Sequence, residues 1–300
     1  MESLKTILYF SVFSYPLKLD EIHSYTNHKE IQVTQKELEL LVTKKIINYI
    51  DGFYVYNNDI ESITKRKKGN IQAKKALLIA KDRAKFISKF PFVKAVGVSG
   101  SLSKGYYDEE SDIDFFVITQ HSKLWICRTL LMLYKKIFLL NSKKYFCINY
   151  FISENQLEIE EQNRFTATEI KTLIPLEGKI VFEKFYKKNT WFHQYFSNFK
   201  PNIENIQNTK KPVYIKFLEV SLNNRIGIQI DFIFKFLTLK KWNSKFYYLS
   251  ANDFKIALKS TKNISKHHPS NFQKKVVNAL NEKIIDVEHK YKIELTKEHV

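Results

Sequence analysis

The sequence predicts an α+β fold in which a small mixed β-sheet lies between helical segments. Three observations carry this prediction. The first 60 residues combine amphipathic helical spacing with a hairpin signal. Apolar runs at 93–98, 113–119 and 144–152 have the length and the aromatic and β-branched content of buried strands. Helical spacing then dominates from residue 190 to the last residue of the sequence.

The composition is that of a globular protein with an anionic partner. The 300 residues are 44% hydrophobic, which is enough to bury a core and to form two or three domains. The net charge of +18 favours nucleic acid, a nucleotide or a membrane surface as partner. Lys, Ile, Asn, Phe and Tyr are all abundant together, however, and a general lysine excess explains the charge equally well.

Cysteine usage and the N-terminus favour a reducing, cytoplasmic setting. The two cysteines, Cys127 and Cys147, both have apolar neighbours, so neither a disulfide framework nor a zinc site is indicated. The N-terminus has no basic region followed by a continuous apolar core, so we expect no signal peptide. The most apolar helical segments, 124–140 and 226–239, carry internal charges, so we expect no membrane partner.

The first 60 residues predict three helices and a hairpin. Helices are expected over Leu4–Phe13 and Leu19–Tyr25. The run Thr34-Gln-Lys-Glu37 has the pattern of a capping box and predicts a third helix from there to Lys45. Asp51-Gly52 stands between two short apolar runs and is a strong signal for a two-residue hairpin turn.

This order of elements resembles a winged helix-turn-helix domain, which implies DNA contact through the third helix. Protein docking or a role as a rigid spacer is the alternative use of such a domain. On the exposed part of the third helix, Glu37 and Glu39 would repel phosphate, whereas Lys36, Lys44 and Lys45 would attract it. DNA and RNA are therefore partners that the sequence allows but does not favour.

Residues 61–90 predict one long basic helix that links this N-terminal part to the sheet. Gly69-Asn70 predicts a break in its first turns. Small residues on one stripe would let the helix lie close against a neighbour; they are Ala73, Ala76, Ala80 and Ala84.

Beyond the first two strands, the sequence predicts a helix over 123–140, a strand over 144–152 and a fourth strand over Gly178–Phe185. The helices expected after that are 190–199, 213–240, 252–260 and 271–290. The run Lys262–Pro269, with His267 and His268 adjacent, is expected to be a polar loop. The alternative is that the helix start near Asn271 receives an anion.

These elements divide the chain into four parts. The predicted parts are 1–60, a linking helix over 61–90, a sheet-containing core over 91–188 and a helical C-terminal domain over 189–300.

The stretch Gly100–Thr119 holds the residues that say most about chemistry. Asp112 and Asp114 stand two positions apart at the start of an apolar run, and the alternation of strand side chains would place both on one face. Two carboxylates held so close repel each other unless a cation lies between them. A divalent metal bound to nucleotide phosphates is the usual cation.

An apolar strand at 93–98, the turn Gly100-Ser101, a polar loop and Asp112-Ile113-Asp114 resemble the polymerase-β-like nucleotidyltransferase superfamily. The resemblance implies a Mg²⁺- or Mn²⁺-dependent enzyme that moves a nucleoside monophosphate from an NTP to a hydroxyl and releases pyrophosphate. ATP is the expected NTP, and the acceptor is left open between a small molecule and a protein. In this interpretation Asp112 and Asp114 are the catalytic and metal-binding residues.

The resemblance also implies a set of nucleotide-binding residues around the two carboxylates. The Gly-Ser turn lets the backbone approach phosphates, and Lys104 follows closely enough to neutralise a phosphate oxygen. The residues expected to contact the nucleotide are Gly100, Ser101, Ser103, Lys104, Ser111 and Asn149.

Active members of the superfamily generally supply a third carboxylate from a neighbouring strand, and the predicted strand 144–152 has none. Asn149 stands where an Asp is expected; it offers a carbonyl ligand but cannot take a proton. Glu154, Glu158 or Glu160 would replace it only if the chain curls back. The alternative function is therefore a non-catalytic regulator that senses nucleotide through a degenerate transferase domain and binds DNA.

Overall fold

The structure is a computed structural model that describes residues 1–299. The strands are β1 (Ile47–Ile50), β2 (Phe53–Tyr56), β3 (Val93–Ser99), β4 (Asp114–Thr119), β5 (Cys147–Ser153), β6 (Ile174–Glu177) and β7 (Ile264–Lys266). The helices are α1 (Glu2–Ser11), α2 (Leu19–Ser24), α3 (Ile31–Thr43), α4 (Ile60–Ile87), α5 (Gly100–Ser103), α6 (Leu124–Phe138), α7 (Arg164–Thr172), α8 (Lys179–Lys188), α9 (Val213–Leu222), α10 (Arg225–Lys245), α11 (Ala251–Ala257) and α12 (Phe272–Tyr291). The predicted helix 190–199 is a short 3-10 helix over Thr190–Gln194.

Strands β3 to β7 form one mixed sheet in the order β6-β3-β4-β5-β7. β4 and β5 run parallel, and the other neighbouring pairs are antiparallel. The predicted α+β class with a small mixed sheet is therefore confirmed. The edge strand β7 comes from the predicted polar loop 262–269, because its three residues are too few to show a period of two and are held by pairing with β5.

Helices cover both faces of this sheet. Ala80 and Ala84 of α4 pack on one face together with Phe115 of β4, and this part of the predicted small-residue stripe is fully buried. Phe116 of β4 packs on the opposite face with side chains of α7 and α8. Since side chains alternate along a strand, Asp114 shares the face of Phe116 and lies on the α7 side of the sheet.

Helix α4 runs without a break through Gly69-Asn70, so the prediction of a break there is wrong. A Cβ atom at position 69 would lie 2.3 Å from the ring of Tyr106. Asn70 donates a hydrogen bond to the hydroxyl of Tyr15 at 3.2 Å. The glycine therefore permits a close approach of the loop that follows α5, rather than a change of chain direction.

The hairpin and the three preceding helices occur in the predicted order, and the hairpin turn residues Asp51 and Gly52 both have positive φ. The predicted capping box is wrong, because α3 begins at Ile31, before Thr34. The Thr34 hydroxyl lies 3.0 Å from Nδ1 of His23, so it bonds to another helix instead of to its own. The resemblance to a winged helix stays a prediction.

The predicted strand Gly178–Phe185 is wrong, because these residues form most of α8. The strand lies just before it, as β6, which ends at Glu177; the next residue, Gly178, has a φ of +91° and precedes α8. Phe182, Phe185 and Tyr186 are buried, and their spacing of three and four residues is that of a helix packed on the sheet. Their aromatic character favoured a strand in the sequence.

The predicted helix 213–240 is two helices. The side chain of Asn224 accepts a hydrogen bond from the backbone N–H of Gly227 at 3.0 Å and caps the start of α10. Both helices expose large apolar side chains, such as Phe217 (75% exposed) and Phe232 (66% exposed). Among residues 1–299, none of the helices has the length and apolar character needed to cross a bilayer.

The first and last helices of the structure share one hydrophobic cluster. Val276 and Ile284 of α12 are buried with Leu4 and Ile7 of α1. The end of the chain thus packs against its beginning, while β7 joins the central sheet. The four predicted domain boundaries stay a prediction.

Candidate active site

A cavity of about 400 Å³ lies beside the start of β4. Its floor is formed by β4 and β5, one wall by α7, and the facing wall by β7 and the start of α12. Four of the predicted site residues line it, and these are Gly100, Ser101, Asp114 and Asn149. The fold therefore brings the Gly-Ser turn, one carboxylate and the polar residue of the neighbouring strand into the lining of one cavity.

Asp114 is the first residue of β4, where it pairs with Ser99 on one side and Cys147 on the other. Burial raises the pKa of Asp114 to about 6, and the negative charges of Asp112 and Glu169 act in the same direction. Among residues 1–299, no Lys, Arg or His side chain forms a salt bridge with it. The carboxylate thus faces the cavity without a paired cation.

The Gly100-Ser101 turn lies directly against this carboxylate. Gly100 has a φ of +70°, and a Cβ atom there would lie 2.4 Å from Oδ2 of Asp114. Glycine meets both demands, because it has no Cβ and adopts positive φ without strain. The glycine of the motif therefore positions the acid of the motif.

Asn149 reaches Asp114 through a β-bulge in β5. Phe115 of β4 pairs with Ile148 and Phe116 pairs with Tyr150, so Asn149 is the extra residue. Bulges re-aim side chains at the edges of functional sites. Nδ2 of Asn149 donates a hydrogen bond to Oδ1 of Asp114 at 3.0 Å. The residue that stands in the place of the third acid therefore contacts Asp114, one of the two predicted metal ligands.

Three predicted nucleotide contacts have partners within the protein. Nζ of Lys104 lies 2.7 Å from Oε1 of Glu169 and donates to the carbonyl of Gly100 at 3.1 Å. The Ser103 hydroxyl donates to the same carbonyl at 2.8 Å. The Ser111 hydroxyl donates to a carboxylate of its own loop at 2.6 Å. Contact of these three side chains with a nucleotide stays a prediction.

Asp112 lies in the coil before β4, because the strand begins at Asp114 rather than at Ile113 as predicted. It is half-buried, and its charge raises the pKa of Asp114, so the two carboxylates interact. Among the described residues, those that line the cavity include Asp114 but not Asp112. The argument from strand alternation therefore does not apply to this pair.

The acids expected to complete the site if the chain curls back were Glu154, Glu158 and Glu160. Glu154 follows the far end of β5, because β4 and β5 are parallel and Asp114 stands at their start. There it accepts a hydrogen bond from the backbone N–H of His121 at 3.1 Å. Within residues 1–299, the carboxylates that line the cavity with Asp114 are Glu161 and Glu169. Their sequence positions gave no signal, since it is the packing of the 154–172 segment on the sheet that brings them there.

The donor set at Asp114 fits a hard divalent cation in part. Asp112 and Asp114 offer carboxylate oxygens, which Mg²⁺ prefers, and a buried carboxylate without a counter-ion gains from a cation. In the part of the chain that the structure describes, no three His, Cys, Asp or Glu side chains gather closely enough to hold a metal by themselves. A metal here would therefore rely on two acids, with water or phosphate oxygens completing its shell.

Comparison with known families agrees with this geometry. The family described as nucleotidyltransferase domain matches residues 79–204, which include the Gly-Ser turn, both acids, β5 and α7. Searches of curated proteins and of solved structures returned no match. The match supports a nucleotidyltransferase domain of the polymerase-β-like superfamily over residues 79–204.

Proposed function

We propose that the chain is a metal-dependent enzyme that transfers a nucleoside monophosphate from an NTP, in the first place ATP, to a hydroxyl of a small molecule or protein. The observation that carries the proposal is the half-buried carboxylate of Asp114, which forms no salt bridge with any of residues 1–299. It faces a cavity large enough for a ligand and is held there by Gly100. A structural acid at a strand start would instead be exposed to water or paired with a cation.

The residues of the chain divide the work of the reaction. Asp112 and Asp114 hold Mg²⁺ or Mn²⁺, which neutralises phosphate charge and lowers the pKa of the acceptor hydroxyl when it is bound. Asn149 orients the Asp114 carboxylate through its amide hydrogen bond. Ser101 lines the cavity next to the acid and offers a hydroxyl to the phosphates.

Glu169 is the best candidate for the missing third acid. It lines the same cavity, its charge acts on Asp114, and its side chain is partly exposed. Its partner Lys104 also contacts the carbonyl of Gly100, so the pair sits next to the Gly-Ser turn. We assign to Glu169 the acceptance of the acceptor proton, a role that Asn149 cannot fill.

The test is pyrophosphate release from each of the four NTPs with Mg²⁺, measured by a coupled assay. We expect release with the wild type and a loss of at least about 100-fold in Asp112→Asn and Asp114→Asn, because removing an essential ligand costs several kcal/mol of transition-state stabilisation. Glu110→Gln is the matched control, since it removes an exposed acid of the same loop. Release that survives in both Asn variants would refute the proposal.

A non-catalytic regulator is the second candidate, and the absence of a three-acid metal cluster among residues 1–299 favours it. Lys36 of α3 and Lys44, the residue that follows this helix, are exposed and would contact phosphates of DNA. Such binding falls steeply with salt and does not depend on the metal site. Salt-dependent DNA binding that survives Asp112→Asn, together with no pyrophosphate release by the wild type, would favour the regulator.

A further inference from the structure

The end of the cavity away from Asp114 holds a buried lysine. Lys266, the last residue of β7, is 9% exposed and lines the cavity. Its Nζ donates to Oε1 of Gln273 at 3.0 Å, and Gln273 is uncharged. No carboxylate of residues 1–299 lies within salt-bridge distance of this ammonium group. A buried ammonium without a counter-ion is costly, so proteins seldom keep one without a use.

The nearby acids form salt bridges with other lysines. Glu161 lies 2.8 Å from Nζ of Lys259, and Glu169 lies 2.7 Å from Nζ of Lys104. The charge of Glu161 still acts on Lys266, but at a longer range than a salt bridge. Among the charged side chains that line the cavity, Asp114 and Lys266 are therefore the two without a salt bridge to any of residues 1–299.

A second, independent feature also favours an anion at this end. Gln273 is 4% exposed and lines the cavity, yet its Nε2 has no hydrogen-bond partner among the described residues. Gln273 stands in the first turn of α12, a helix of 20 residues that no side chain of Asn271 caps. Free N–H groups and the positive end of a long helix both favour an anion, and a buried amide N–H₂ without a partner is rare.

The sheet fixes the separation of the two ends. Phe116 of β4 pairs with Tyr150 of β5, which pairs with Lys266 of β7. Lys266 is thus two strand spacings, about 10 Å, from β4, and Asp114 lies two residues further along β4 on the same face. A reacting phosphate at Asp114 and an anion at Lys266 would be separated by roughly the length of a small molecule.

We infer that Lys266, the Nε2 group of Gln273 and the start of α12 bind a carboxylate or phosphate group of the acceptor. The acceptor is then a small molecule that carries this anionic group roughly 12 Å from its reacting hydroxyl, because two strand spacings and two residues along β4 separate the two ends. A cationic acceptor is disfavoured, because it would meet an unpaired ammonium group. This inference rests on the proposed function, since it names the acceptor class of the same cavity.

The experiment is a calorimetric titration of inorganic phosphate in 150 mM KCl with EDTA, so that neither metal nor nucleotide takes part. We expect the dissociation constant to rise at least tenfold in Lys266→Met and in Gln273→Glu. The first substitution removes the charge and keeps an unbranched side chain; the second puts a carboxylate where the ligand's anion would bind. Lys262→Gln, which changes an exposed lysine just before β7, should stay within twofold of the wild type.

Thermal unfolding shows whether a variant that binds phosphate weakly is still folded. Because Gln273→Glu supplies a counter-ion to Lys266, we expect it to unfold at a higher temperature than the wild type without phosphate, and to gain nothing when phosphate is added. Phosphate binding that is unchanged by Lys266→Met and by Gln273→Glu would overturn the inference, as would the absence of phosphate binding by the wild type.

A parallel titration with a non-hydrolysable ATP analogue and Mg²⁺ separates acceptor from nucleotide. Affinity for the analogue should change less than twofold in Lys266→Met. A tenfold loss would assign the lysine to the nucleotide phosphates and overturn the acceptor inference, whatever the result for pyrophosphate release. Loss of the proposed activity alone leaves the phosphate result standing, so the two claims fail separately.

Discussion

Gly100 has both a positive φ and a close contact with Asp114, whereas Gly52 has a positive φ alone and serves as the matched control. The φ of Gly100 is +70°, and a Cβ there would lie 2.4 Å from the Asp114 carboxylate; Gly52 has a φ of +82° with nothing within 4 Å of a Cβ. Both Gly→Ala substitutions should cost about 1 kcal/mol of unfolding free energy from the left-handed backbone. Chemical denaturation measures this cost.

The two glycine variants should differ in activity. Gly100→Ala must displace the carboxylate of Asp114 and should abolish pyrophosphate release, whereas Gly52→Ala should leave it within twofold. Equal activity in the two variants would show that Gly100 does not position the acid.

The pKa of Asp114 makes stability depend on pH in a defined window. Burial raises this pKa from 3.8 to about 6, so between these values the folded chain keeps a proton that the unfolded chain has lost. The unfolding free energy should therefore fall as pH rises from about 4 to about 6, by at most about 1.4 kcal/mol per pH unit, and level off above. Chemical denaturation in EDTA measures the unfolding free energy of the wild type and of Asp114→Asn at each pH. The unfolding free energy of Asp114→Asn should not show this decrease. If the difference in unfolding free energy between the two proteins did not change with pH, burial would not raise the pKa of Asp114.

At the residue scale, the sequence predicted the motif better than its surroundings. Gly100, Ser101, Asp114 and Asn149 do line one cavity, because a strand, a turn and a neighbouring strand are local features that leave a pattern. Lys266 belongs to the run 262–269, which was expected to be a polar loop, with an anion at the helix start near Asn271 as the alternative. The importance of Lys266 comes from the absence of a counter-ion, and only packing reveals that.

Helix α4 provides a test of close packing between elements. Gly69→Ala should destabilise the protein, because the new methyl group would lie 2.3 Å from the ring of Tyr106. In a Tyr106→Ala background the same substitution should stabilise by up to about 1 kcal/mol, since alanine is the better helix former. A double-mutant cycle by chemical denaturation measures this change of sign. The same effect in both backgrounds would rule out the packing explanation.

Two helices with long periodic patterns, α4 and α6, were predicted well, whereas the short strands β6 and β7 were not. Helices α4 and α6 have many turns, so their apolar stripes are visible in the sequence. β7 has three residues and exists because β5 offers a free edge to pair with. The bulge that aims Asn149 is likewise a property of two strands together. Both β7 and the bulge depend on pairing between strands that are distant in the sequence, and the sequence of a single strand does not reveal such pairing.

At the scale of the whole molecule, a buried cluster of charged side chains links the two ends of the chain. Glu298 is 8% exposed and lies 2.7 Å from Nζ of Lys5 in α1 and 3.1 Å from Nε of Arg164 at the start of α7. The cluster thus ties the first helix, the wall of the cavity and the end of the chain together.

Removing the charge of Glu298 leaves the buried Lys5 without a salt bridge and leaves the buried Arg164 with Glu2 alone, at 3.3 Å. Glu298→Gln should lower the unfolding free energy by about 3 kcal/mol. Glu294→Gln, an exposed acid of the same segment, should change it by less than about 0.5 kcal/mol. The midpoint of urea denaturation checks both values. If the two variants unfolded at the same urea concentration, the cluster would have no structural role.

The central claim concerns where a metal and a nucleotide bind in this molecule. A crystal structure with a non-hydrolysable ATP analogue and Mn²⁺ tests it most directly, because Mn²⁺ is located by its anomalous scattering. The account predicts Mn²⁺ bound by Asp112 and Asp114, with the triphosphate beside Gly100 and Ser101. A nucleotide bound elsewhere, or a crystal with the analogue bound and no metal at Asp114, would contradict it.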